Sequence, residues 1–255
     1  MYSRSTTKQF EKINDSSNLP DMPKVRALYE KLITAPEPYE GKLPTKALIK
    51  DLTKEWLGNN NLFVCQNIDS PCDVSCKQNR CSNKYWIKHS VLVSHLMEEL
   101  AKAHGMSKEK QSLYYVTGRL HDLDYLSAPH NVSDSVVDER HSVPLVENLC
   151  KLEVPPILSL AILEHSPHLG LDISSRLSAG LIACDEAATL HAFGYDLGEF
   201  SEVPKPVKDI LKRKVENNPI TKGTVRGNVV YRMQRAFELV MSSDYNFKIA
   251  DDFRT

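Results

Sequence analysis

Apolar residues return along this chain at the spacing of an α-helix, and almost nowhere at the two-residue alternation of a half-buried strand. Val25, Leu28 and Leu32 share one side of a segment that Pro23 suits as a first turn and that Ala35-Pro-Glu-Pro breaks. Leu48, Leu52, Trp56 and Leu57 mark a second short amphipathic helix, closed by Gly58 and three asparagines. From Tyr85 the spacing is helical and stays so. Trp86, Val93, Leu96 and Leu100 form a stripe that Gly105 ends, and Ser107 is placed to cap the next helix, which runs through Leu113 to Leu120. Beyond a polar loop, residues 127–138, come a helix carrying His141, Leu145 and Leu149 and a helix opened by Pro155-Pro156 with Leu158, Ala161, Ile162 and His165. An Ala- and Leu-rich helix then runs from Ile173 to His191, a short basic one from Val207 to Val215, and a last amphipathic one from Val225 to Met241. The expected fold class is all-α.

The expected organisation is an N-terminal arm with short helices (1–60), a Cys-rich loop (61–85), a helical core with its C-terminal helices (86–241) and a polar tail (242–255). A chain of 255 residues can hold one large core with a small appendage. A net charge of −1 removes bulk attraction to nucleic acid or membrane from the expected functions. The first residues are polar with no apolar segment behind them, and no apolar run is long enough to span a bilayer. A cytoplasmic protein is expected, in which the six cysteines serve as thiols or metal ligands.

Chemistry gathers at Arg119-Leu120-His121-Asp122-Leu123-Asp124-Tyr125, where a His-Asp doublet closes an apolar helix. His89, His141, His165 and Asp185 each fall on a separate predicted helix. Asp185 follows Leu181-Ile182-Ala183-Cys184, and a carboxylate there is costly without a partner. Imidazoles and carboxylates together suit Fe, Mn, Zn or Co. Helices around a common core can aim such residues at one point. Six ligands exceed what one ion normally takes, so two ions per chain are expected, Fe or Mn before Zn or Mg, with Asp122 between them. Such ions lower the pKa of bound water and leave positive charge for a small anionic substrate. Asp122 and Asp124 are the candidate catalytic residues, Asp124 as proton acceptor or as orienter of a ligand. Arg119 and His168 are candidate substrate contacts. Cys65, Cys72, Cys76 and Cys81 could hold a structural zinc or an iron–sulfur cluster, form two disulfides, or remain thiols; of these the metal is favoured, near the mouth of the site.

Lys88-His89-Ser90, Leu120-His121-Asp122-Leu123-Asp124-Tyr125, Glu139-Arg140-His141, Ile162-Leu163-Glu164-His165 and Ala183-Cys184-Asp185-Glu186, in this order, resemble the HD-domain superfamily, closest to its HDIG-type predicted hydrolases. The resemblance spans roughly residues 85–240 and implies a helical bundle with a metal-dependent phosphohydrolase activity. It implies that His89, His121, Asp122 and Asp185 hold one metal, and that His141 and His165 are the added pair of two-metal members. The same six-ligand pattern occurs in the superfamily's mixed-valent diiron oxygenases. The leading expectation is a dinuclear hydrolase of a phosphate ester, a small nucleotide or related metabolite. The others are a diiron oxygenase of a small organic substrate such as a phosphonate, and a regulatory or binding module with a structural metal site.

Overall fold

The computed structural model describes residues 23–58, 83–124, 141–213, 227–243 and 245–249. Among them are nine α-helices and no strand: α1 (Pro23–Ile33), α2 (Lys46–Gly58), α3 (Asn83–Ala103), α4 (Lys108–Leu120), α5 (Val143–Lys151), α6 (Pro156–Glu164), α7 (Arg176–Ala192), α8 (Lys205–Arg213) and α9 (Gly227–Met241). The architecture is all-α, as the apolar spacing predicts. Residues 1–22, the loop with Cys65, Cys72, Cys76 and Cys81, and the polar loop 127–138 lie outside the described residues. None of the described helices is long and apolar enough to cross a membrane.

Two helices form the centre. Every residue of α6 from Ile157 to Glu164 is buried, and so is α7 from Leu177 to Cys184. A helix apolar on all sides has no solvent face to keep and goes to the middle. The amphipathic helices wrap it: α3 and α4 lie along each other against α7, α9 runs along α7, and α1 and α5 cover α6. Backbone bonds tie the α1–α2 connection to the start of α6, Lys42 N–H to Glu153 O at 3.1 Å and Ile157 N–H to Pro38 O at 2.9 Å.

Helix ends set where the polar residues emerge. The chain turns after α3 with Gly105 at φ +67°, and Met106 N–H closes the turn on Ala101 O at 3.1 Å. Ser107 caps α4, its Oγ accepting from Lys110 N–H. The expected helix around His141 begins later than its apolar pattern suggests. His141 and Ser142 form a turn, with Ser142 at φ +75°, and α5 starts at Val143. Pro144 is the reason, because it has no N–H to give the carbonyl of residue 140 and so must lie in a first turn. His121 and His165 likewise sit one residue past their helices, at the C-caps of α4 and α6. The helix expected from Ile173 starts at Arg176, capped by Ser175 Oγ on Ser178 N–H.

Candidate metal centre

The six sequence candidates arrive from five places in the chain. His89 stands on α3, His121 and Asp122 follow α4, His141 precedes α5, His165 follows α6 and Asp185 stands on α7. All six meet at one buried point and form two sets that share Asp122. His89, His121, Asp122 and Asp185 each offer an atom within 4.8 Å of the others, and so do Asp122, His141 and His165. Either set could hold a metal ion.

The shared carboxylate is divided between them. Asp122 Oδ2 lies 3.1 Å from His121 Nε2 and 3.5 Å from His89 Nε2. Its Oδ1 lies 3.2 Å from His141 Nε2 and 3.5 Å from His165 Nε2. Asp185 Oδ1 completes the first set, 2.9 Å from His89 Nε2 and 3.6 Å from His121 Nε2. Atoms bonded to one ion at about 2.0–2.2 Å stand roughly 3–3.5 Å apart, and these gaps match. The side chain of Asp185 is 20 % exposed while those of the other five are at most 5 % exposed, so the described centre is most open beside Asp185.

The outer ring nitrogens aim the inner ones. His121 Nδ1 donates to Gly118 O at 2.9 Å, and His165 Nδ1 donates to Ile162 O at 2.5 Å. Each bond places the proton on Nδ1 and turns the Nε2 lone pair inward. His121 Nε2 is fully buried and has no aligned hydrogen-bond partner among the described residues. An inward-facing imidazole nitrogen held between two carboxylates fits a cation, a proton when the centre is empty or a metal ion in its place.

His141 is held from behind by Asp124. Asp124 Oδ1 accepts from His141 Nδ1 at 3.0 Å, and Oδ2 accepts from Ser142 N–H at 2.5 Å. Both oxygens thus face the turn that presents His141, which favours the orienting role over that of proton acceptor. The second bond also holds Ser142 in its left-handed conformation, where a residue with a Cβ is strained. Ser142 Oγ and Ser166 Oγ form a short hydrogen bond that joins the turn after His141 to the turn after His165. Asp124→Asn offers one acceptor where two are used. It is expected to weaken the His141 set for metal by roughly 10- to 100-fold and to spare the other set. Titration of the metal-stripped variant with manganese measures this, and equal losses at both sets would refute it.

Without metal the centre stores protons. Burial works against charge on His141, but Asp124 and Asp122 push its pKa up to about 10. Burial opposes charge on His121 also, and Asp122 and Asp185 raise its pKa well above the usual range. His165 is lowered by burial and by the charge of its neighbours, Asp122 pulling the other way. His141 Nε2–H therefore donates to His165 Nε2 across 3.0 Å, and a proton sits where two lone pairs would otherwise collide. A metal must displace it. Proton uptake competes with metal below a pKa of about 10, so metal affinity is expected to rise with pH from 6 to 9. Mixing metal with lightly buffered protein at pH 7 should release about one to two protons per chain. A pH-independent affinity would show that these histidines are neutral before binding.

Arg119 lies on α4, half-buried, with its pKa lowered by burial. His95 and Tyr115 pack in an edge arrangement, ring centroids 5.7 Å apart. His168 is in a short 3-10 turn, Pro167–Leu169, and its side chain lies outside what is described. Lys208 Nζ reaches Gly198 O. Cys150 and Cys184 are free thiols, Cys184 buried beside Asp185 with its pKa pushed up by burial. Residues that sequence reasoning passed over are Gly118, Ser142 and Ser166, which bond the ligands or their turns. The two serines had a local signal, since each directly follows a candidate histidine.

A family model described as HD domain matches residues 86–213, half of the chain. No curated protein and no solved structure matches it.

Proposed function

The chain belongs to the HD-domain family, and from that premise we propose that it is a metal-dependent hydrolase of a phosphate ester, a small nucleotide or related metabolite, with a two-ion centre. The observation that carries the reading is the division of Asp122, one oxygen to each histidine set. His89, His121 and Asp185 would hold one ion, His141 and His165 the other, with Asp122 bridging. Two divalent ions there would polarise phosphoryl oxygens and make hydroxide available near neutral pH. The chain's own part is to orient and to exclude water. Gly118 O, Ile162 O and Asp124 fix three rings, and the buried walls raise the strength of every charge inside. Two carboxylates against two divalent ions leave net positive charge, which favours an anionic substrate entering beside Asp185.

The test is phosphate release from a panel of nucleotides and phosphomonoesters with manganese or iron added to metal-stripped protein. Metal-loaded protein silent on the whole panel would sink the hydrolase. The four imidazoles also suit iron, and this favours a second reading, a diiron oxygenase of a small organic substrate such as a phosphonate. Substrate-dependent oxygen uptake by the iron-loaded protein, without phosphate ester cleavage, would select it.

A further inference from the structure

Arg232 stands on α9, beyond the matched residues 86–213, yet it reaches the supports of the centre. Its Nη1 donates to Glu186 Oε1 at 2.6 Å and its Nη2 donates to His165 O at 2.8 Å. The Arg232 and Glu186 side chains are only 16 % and 7 % exposed. Glu186 directly follows Asp185 on α7, so one guanidinium joins the backbone of a residue from the second histidine set to the neighbour of a carboxylate from the first.

The bond to His165 O has a specific consequence. His165 is the C-cap of α6, where carbonyls have no partner within the helix. Its ring is fixed by Nδ1–H to Ile162 O and its backbone N–H by Ala161 O at 3.1 Å, so Arg232 Nη2 takes the remaining backbone group, the carbonyl. A guanidinium sets two acceptors at a defined separation in one plane, which an ammonium cannot do.

On the two-ion reading above, we infer that Arg232 is a positioning residue for the ion of the His141–His165 set, which makes α9 part of the metal centre. The competing role is simple docking of α9. Arg176 supplies the control, because it anchors the other end of α9 by donating to Val240 O and, at 3.0 Å, to Ser242 O. Both of these acceptors lie at the C-terminal end of α9, far along the helix from Arg232.

Manganese titration of the metal-stripped full chain, read by calorimetry and by the exchange-coupled electron paramagnetic resonance signal of paired ions, separates these roles. The expected result is two ions in the wild type. Arg232→Met should keep the first affinity, lose roughly 10- to 100-fold in the second and lose the coupled signal at matched manganese. Arg232→Lys, which keeps the charge but not the fork, should show a smaller loss of the second ion alone. Arg176→Met should melt at lower temperature and keep both affinities. If Arg232→Met does not fold, the Lys variant decides, and unchanged second-ion affinity in it overturns the inference. So does an equal loss of the second ion in Arg176→Met. A wild type that takes a single ion would overturn the two-ion reading first, and the role of Arg232 with it.

Discussion

Asp122→Ala is expected to empty both halves of the centre at once, where His165→Ala should empty one. No other candidate ligand presents one oxygen to each set. Loss of an outer partner costs roughly 10- to 100-fold in metal affinity, and loss of a shared direct ligand should exceed the upper end of that range at both positions. On the proposed hydrolase reading, phosphate ester hydrolysis should fall to background. The stabilisation that metal brings should go as well; for the wild type it is about 2.7 kcal/mol at a metal concentration one hundred times Kd. Metal content per chain and the melting shift on adding manganese measure both effects. A variant that still carries two ions would show that Asp122 does not bridge. Asp122→Ala also removes the carboxylate that, with Asp185, keeps His121 charged despite its burial. The His121 pKa should then fall toward the neutral range, and metal affinity at the surviving ligands should depend less steeply on pH.

The second large effect is expected at a residue that is not itself a ligand. A Cβ on Gly118 would lie 2.7 Å from Ser94 Cα, 2.9 Å from Ser94 N and 3.0 Å from Val93 C. All three are backbone atoms of α3, so no side chain can turn aside, and the helices must separate. Overpacking typically costs 1–3 kcal/mol, and a clash with backbone belongs at or above the upper end, about 3 kcal/mol. At about 2–4 °C per kcal/mol for a chain of this size, Gly118→Ala should lower the Tm of the metal-free protein by roughly 6–12 °C. The same shift moves Gly118 O, which His121 Nδ1 uses to aim its ring. Metal affinity should fall together with stability. A melting temperature within a degree or two of wild type would mean that α3 and α4 tolerate a wider spacing.

Amphipathic spacing was enough to read the helices, because a helix in water must bury one stripe whatever it packs against. The burial of α6 and of the first half of α7 at the centre agrees with their apolar composition. The six candidate ligands were legible as chemistry. His and Asp at the ends of apolar helices cannot stay buried without partners, so their presence announced a site. One local signal opposes the apolar pattern. Pro144 required a helix start after His141, and the apolar pattern of Leu145 and Leu149 drew the expected helix over that turn.

The sequence by itself therefore determined the all-α class, the order of its helices and the residue types that could meet around a metal. Residue type and local spacing act within a few turns, and these properties depend on nothing further. Tertiary structure alone decided that Asp124 spends both oxygens on the His141 turn and that Arg232 reaches His165 O across 67 residues. Gly118 meets Ser94 only because two helices cross there. Each of these depends on the relative placement of separate helices. That placement follows from how the whole core packs, and no window of local sequence contains it.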